Sequence, residues 1–309
     1  MKTYVVKIKP LTGFGTHIKG DSLFGHICWQ AYYDSDLFDS SLEQLLQDYE
    51  ENPFIVVSSA FPVKNNKIYL KRPSMPLHKL FEIPENEIVK RRKELKSRDY
   101  FALELPLPPL NKIKYEKINF LIEGQQSRCT INRITGTTGL APFTPYNVGK
   151  FYFDCDLAMF VGLRDDLKIE KLITALERIG KYGYGKDATV GYGKFEVTAW
   201  EEVNLMIKEN YNALYTLSPL VPRREEIEDI YFTPFVRFGR HGSFLAKSKN
   251  PFKNPVIFAD ESAIIIPKQK PLKPYIGMAI KDISKTCPQA VTQGYSLILP
   301  VEVQEWFII

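Results

Sequence analysis

The stretch Gly183-Tyr184-Gly185-Lys186-Asp187-Ala188-Thr189-Val190-Gly191-Tyr192-Gly193-Lys194-Phe195 decides the fold. Just before it, Ile169, Leu172, Ile173, Leu176 and Ile179 recur at helical spacing within residues 168–181, so an amphipathic helix runs into the glycines. Just after it, residues 195–200 read as a strand, and residues 150–153 and 157–161 read as strands upstream of the helix. At the start of the chain, residues 1–10 alternate as a strand and a loop of residues 13–20 follows. Asp21 is placed to cap a helix over residues 22–33, where Leu23, Phe24, Ile27, Cys28 and Ala31 share one face. Residues 52–60 and 67–70 are further strands, the second entered by the turn Asn65-Asn66 and closed by Arg72-Pro73. The order is β-α-β-β-α-β, that of the split βαβ or ferredoxin-like unit, which RNA-recognition modules share.

Residues 84–149 interrupt this order. They hold a basic helical stretch, residues 89–96, then the prolines of 106–109, then Thr- and Gly-rich sequence, and are expected to be an insertion. The fold class is therefore α+β: a first domain over 1–203 carrying that insertion, and a second, helix-poor domain over 204–309. Strands are expected in the second at 231–238, 255–266 and 295–302.

Composition narrows the function classes. The net charge of +5 over 309 residues gives no global field for nucleic acid, so any such contact must come from local patches. Cys28, Cys129, Cys155 and Cys287 form no C-x-x-C pair and no zinc-finger spacing, which predicts buried free thiols rather than a metal site or a disulfide framework. No apolar run is long enough to cross a bilayer and the first strand has no signal-peptide core, so a cytoplasmic protein without membrane partners is expected.

The glycine-rich loop sets four glycines among Lys186, Thr189, Tyr192 and Lys194. Glycines let a backbone approach a ligand closely, and amides and ammonium groups suit phosphate. Nucleotide hydrolysis is disfavoured, because the G-x-x-x-x-G-K-[ST] order is missing and the loop follows a helix instead of preceding one. The alternative is that Gly183 only caps the helix and the rest is a flexible turn. His17 and Lys19, beside the first helix, form a second candidate site for phosphate or base. His26 reads as a satisfied structural histidine. In the insertion, Arg128, Asn132, Arg133, Thr135, Thr137 and Thr138 suit backbone contacts and base stacking, but match a solvated polar loop equally well. Arg237, Arg240, His241, Lys247 and Lys249 interleave with aromatics as RNA grooves do, and as an exposed hairpin also would.

Several segments together resemble the RAMP proteins of CRISPR effector complexes, and among them the fourth subunit of the type III-A Csm complex. The likeness rests on Gly191-Tyr192-Gly193-Lys194-Phe195, Asp21-Ser22-Leu23-Phe24-Gly25-His26 and Tyr100-Phe101-Ala102-Leu103-Glu104. Leu217-Ser218-Pro219-Leu220-Val221-Pro222 and Gln293-Gly294-Tyr295 extend it over nearly the whole chain. The resemblance implies two ferredoxin-like domains, the first with a thumb-like insertion, that cap the 5′ repeat-derived handle of a crRNA. It also implies docking to the large polymerase-type subunit and the backbone RAMP subunit, with target RNA near the thumb. By the same match Lys186, Thr189, Tyr192 and Lys194 are handle-binding and Arg133 to Thr137 are thumb residues, with His17 and Lys19 carried over less firmly. No cofactor, metal or catalytic residue is called for. The competing expectation is a metal-independent endonuclease acting on repeat RNA, with His17 or His26 as acid or base and Lys19 steadying the phosphate.

Overall fold

A computed structural model describes residues 1–139 and 142–304. The first half folds as β1 (Lys2–Pro10), α1 (Gly20–Tyr33), α2 (Leu42–Gln47), β2 (Ile55–Val57), β3 (Phe61–Lys64) and β4 (Lys67–Lys71). Three short helices follow, α3 (Leu77–Leu80), α4 (Glu85–Lys90) and α5 (Arg92–Ser97), then β5 (Tyr100–Ala102), β6 (Leu121–Arg128), β7 (Tyr146–Phe153), β8 (Asp156–Leu163), α6 (Ile169–Tyr182) and β9 (Phe195–Glu202). Their sheet runs β5-β4-β3-β8-β1-β9, with β2 also paired to β8. The inner strands β9, β1, β8 and β2/β3 are antiparallel neighbours in the order of a split βαβ unit, with α1 after β1 and α6 after β8. The strand expected over 52–60 continues through β3. Asn65 and Asn66, both at positive φ (50° and 60°), turn it into β4 as a two-residue hairpin.

The expected insertion is more ordered than its composition suggests. Eight residues of β6 pair with eight of β7, from Leu121↔Phe153 to Arg128↔Tyr146, as a two-stranded ribbon. One face carries Phe151 and Phe153, which pack on Phe14 and Phe120. The other carries Gln126, Arg128, Lys150 and Tyr152, polar groups set two residues apart along each strand.

The second half holds β10 (Ala213–Thr216), β11 (Ile227–Tyr231), β12 (Pro234–Arg237), β13 (Val256–Ala259), β14 (Ile264–Pro267), β15 (Tyr275–Gly277) and β16 (Tyr295–Val301). They form a five-stranded sheet, β11-β14-β10-β16-β15, and the separate ribbon β12-β13. The strand expected over 255–266 is broken at Asp260-Glu261-Ser262, where the chain leaves the ribbon for the sheet and Ser262 takes a φ of 74°. Among the described residues no α-helix follows Tyr182, so the second half lacks the helices that a ferredoxin-like unit requires. A second complete ferredoxin-like domain, as the resemblance implies, is therefore not evident among the described residues. The protein is a mixed α/β fold, rich in sheet and poor in helix, and no helix of the described residues is long and apolar enough to cross a membrane.

The two halves share a core. Tyr215, Leu217, Ile264 and Leu297 belong to the same buried cluster as Val6, Phe24 and Phe160. Gln293, fully buried, bonds Val57 as a strand would, accepting from its N–H at 2.9 Å and donating to its carbonyl at 2.8 Å. The adjacent Gly20 is held to glycine by space, since a Cβ there would lie 2.2 Å from the Val57 carbonyl.

Candidate nucleic-acid interface

Helix α6 buries Ile169, Leu172, Ala175, Leu176 and Ile179 and ends at Gly183, whose φ of 110° no other residue type adopts cheaply. The loop then doubles back on itself. The Tyr184 N–H bonds the Gly193 carbonyl at 2.9 Å, and a Cβ on Gly193 (φ 72°) would fall 2.1 Å from the Tyr184 oxygen. The two glycines are thus required for the loop to close, which excludes the reading of a flexible turn.

The loop is tied to the first loop. Lys186 N–H donates to Thr16 Oγ1 and Lys194 N–H to Thr12 Oγ1, both at 3.0 Å, and Gly193 N–H donates to the Gly13 carbonyl at 2.9 Å. Gly185 N–H donates to His26 Nε2 at 3.3 Å. His26 is therefore structural, as expected, and burial pushes its pKa down to about 4, which keeps that nitrogen an acceptor. These bonds correct the expectation that the loop's amides are open to phosphate: within 183–194, only those of Asp187, Ala188 and Thr189 have no hydrogen-bond partner among the described residues. Cation side chains remain for that task.

The β6-β7 ribbon closes the third side. Tyr192 hydroxyl donates to Gln126, Arg128 Nη1 lies 3.1 Å from Asp187 Oδ2, and Lys150 Nζ lies 5.1 Å from the Tyr152 ring centroid and 5.9 Å from that of Tyr192. Phe14 and Phe151 exchange backbone hydrogen bonds at 2.7 and 3.0 Å, and the His17 ring stacks on Phe151 at 4.4 Å. Three parts far apart in sequence, residues 12–17, the paired strands 121–128 and 146–153, and residues 183–194, thus form one surface. Lys186, Lys194 and Lys150 stand on it without a carboxylate partner among the described residues, and Thr189 and Lys186 are exposed. Desolvation beneath the stack, with the charges of Lys71 and Lys19, lowers the His17 pKa from its ordinary value.

Other expected residues stand elsewhere. Tyr192 is buried, so it supports the surface more than it offers a ring to a base. Arg133, Thr135 and Thr137 lie at the far tip of the ribbon, where Asn132 Oδ1 accepts from the amides of Ile134 and Thr135 and the two threonine hydroxyls pair at 2.8 Å. Lys19 is drawn inward: it bonds Asp260 and Glu261 at the 260–262 corner, while Lys71 takes the other oxygen of Glu261. Burial opposes the charge on Glu261, but Lys71 and Lys19 overcome it and hold the carboxyl well below the usual range. Burial and that neighbouring carboxyl push Asp260 the other way, up to about 6, against the pull of Lys19. Asp21 does not cap α1, whose N-cap is Lys19. It is buried in the first turn and grips Arg237 through two bonds of 2.6 and 3.0 Å. Arg240 stands apart, 5.7 Å from the Phe252 ring centroid and bonded to the Ala246 carbonyl. Lys19 and Arg237 are therefore structural ions, against expectation. Cys129 is exposed, also against expectation, while burial pushes the Cys28 thiol up to about 12.

Sequence reasoning missed Thr12, Thr16, Gln126, Lys150 and Tyr152. The alternation of Tyr146, Val148, Lys150 and Tyr152 was the available signal for the last two, hidden because their partner strand lies in a stretch without hydrophobic periodicity.

No protein-family profile and no curated protein sequence matches the chain. Solved structures do. A chain of the crystal structure of a Csm1-Csm4 cassette in complex with pppApA is similar with a TM-score of 0.61 and 18% identity, over 99% of this chain and 100% of that one. A chain of the Csm3-Csm4 subcomplex of a type III-A CRISPR-Cas interference complex is similar with a TM-score of 0.59 and 17% identity, over 97% and 99%. Csm4 is the subunit that the two assemblies share. The fold of this chain is similar to that of Csm4 over 97 to 99% of its length.

Proposed function

We propose that this chain is a non-catalytic RNA-binding subunit of a type III-A CRISPR effector complex, holding the repeat-derived 5′ handle of a crRNA on the surface made by the first loop, the ribbon and the glycine-rich loop. In this reading the two halves are two RAMP units, the second reduced to its sheet, and the ribbon is the thumb that stands beside the first guide–target pairs. A large polymerase-type subunit and a backbone subunit are its partners, as Csm1 and Csm3 are for Csm4 in the similar structures.

The observation that carries the reading is the convergence of Lys186, Lys194 and Lys150 on one face built from three distant segments, with rings of Tyr152 and His17 beside them. Cations without carboxylate partners, set among aromatic rings, suit a single strand whose backbone is held while its bases splay. Cleavage finds no support in the geometry. His26 is occupied by the Gly185 amide, and His17 has no acid or base bonded to its ring among the described residues.

Titration of a labelled handle RNA against salt tests this. The Lys186→Ala/Lys194→Ala variant should bind more weakly, and its log–log salt slope should be shallower by about 1.4, roughly 0.7 for each single-strand phosphate that is no longer neutralised. An unchanged slope refutes the assignment of the loop.

A further inference from the structure

Helix α1 leaves the RNA face at its N-terminus and ends in an exposed aromatic cluster. Trp29 and Tyr33 stack at 5.7 Å, and Phe244, from the loop after β12, meets Trp29 edge-on at 5.7 Å and Tyr32 at 6.0 Å. The cluster carries large exposed apolar area: Phe244 is 56% exposed and Tyr33 57%. The β12-β13 ribbon of the same segment presents the cross-strand pair Val236 and Ile257 outward, the latter 67% exposed, and is followed by Phe238 at 74%. So much apolar surface marks a contact site. The segment is also pinned in place, by His241 N–H to the Pro251 carbonyl and Lys253 N–H to the Gly239 carbonyl, both at 2.8 Å, and by the His241 ring to Ser284 at 2.6 Å. A surface ordered before binding loses little entropy on association.

Two features select the occupant. Residues 232–257 contain five Lys or Arg and no Asp or Glu. With Arg237 turned inward to Asp21 and Lys253 half-buried, Arg240, Lys247 and Lys249 remain to rim the patch with positive charge, so the opposing surface is acidic. RNA is acidic too, but the surface is wrong for bases: one face of Trp29 is covered by Tyr33, Arg240 lies over Phe252, and Val236 and Ile257 offer no π face. Apolar anchors ringed by Arg and Lys are the anatomy of a protein interface.

We infer that this patch docks a protein subunit whose contact face is apolar at its centre and carboxylate-rich at its rim, and that within the proposed complex this is the large polymerase-type subunit. The choice of subunit rests on the proposed function. Trp29 to Tyr33 lie nine to thirteen residues along α1 from Gly20, about 14 to 20 Å from the loops that would hold RNA. A backbone subunit that follows the same RNA meets the chain at those loops, whereas a partner seated on the helix end need not touch the handle.

The test uses the full-length chain with purified large subunit, purified backbone subunit and handle RNA, each titrated separately. Phe244→Asp/Ile257→Asp should weaken large-subunit binding by roughly 30-fold or more, the scale of losing an interface hot spot, and leave RNA and backbone-subunit binding unchanged. Lys247→Glu/Lys249→Glu, surface changes that leave folding alone, should slow association with the large subunit at low salt. Full binding by both variants overturns the inference, as does a wild type that does not bind the large subunit, loss of the backbone subunit instead, or loss of RNA affinity. If the wild type binds the large subunit through the patch but not the handle, the proposed function fails and this inference stands.

Discussion

The cations around the glycine-rich loop and those around the 260–262 corner are similar residue types with different fates. At the corner, Lys19, Lys71 and Arg237 are matched by Glu261, Asp260 and Asp21, carried on the opposite half of the chain in every pair. At the loop, Lys186, Lys194 and Lys150 have no carboxylate partner among the described residues, and the structure there is held largely by amides, threonine hydroxyls and a histidine ring. The corner uses its cations to join the halves. Around the loop one cation, Arg128, is paired with Asp187, while three lysines have no carboxylate partner among the described residues and neutral hydrogen bonds supply most of the shape.

The largest effect is expected at Glu261. Glu261→Ala leaves Lys19 and Lys71 without their shared carboxylate in a site where Glu261 is only 4% exposed, and should cost about 3–5 kcal/mol in urea unfolding. A cost below 1 kcal/mol would mean that the corner adds little to the shared core that joins the halves. Gly193→Ala attacks the other region. It forces a Cβ against the Tyr184 carbonyl at a positive φ, and a penalty of about 1–3 kcal/mol from backbone strain is expected, with loss of handle binding. Arg237 and Asp21 should stay paired, so the thermal transition should remain a single cooperative one.

The smallest effect belongs to Asp260. Its folded pKa of about 6 lies above the ordinary value, so the folded state binds the extra proton between about 4 and 6, and this group lowers stability as pH rises through that window. His26 acts oppositely: its folded pKa of about 4 lies below the ordinary 6.5, so its contribution is complete above that and is lost as pH falls towards 4. Comparing wild type with Asp260→Asn separates them. The variant should lose less than about 1 kcal/mol at pH 7, and the difference between the two stability curves should move in its favour from pH 4 to pH 6. A difference that moves against the variant would mean that the corner holds Asp260 as a stabilising anion.

Most of the first half was legible because its signals are local. Helical periodicity gave α1 and α6, Asn65-Asn66 gave the hairpin, and the run of glycines gave the loop. The ribbon was hidden because its outer face is polar and its β6 strand has no apolar alternation. The fate of the cations was illegible for a different reason. Lys19 and Asp260 are 241 positions apart, and only the break of the expected 255–266 strand between two sheets aims Asp260 and Glu261 at Lys19. Asp21 looked like a cap because a cap needs only local sequence, whereas its partner Arg237 lies 216 positions away. Residue type told where charge was, and tertiary structure alone told which charge was already neutralised.

The most direct measurement is photo-crosslinking of a handle RNA carrying 4-thiouridine to the full-length chain, with the attachment sites mapped by mass spectrometry. Crosslinks are expected within residues 12–17, 121–153 and 186–194, and not in 237–252. Crosslinks concentrated in 237–252, with none on the glycine-rich loop or the ribbon, would contradict the division between the two regions.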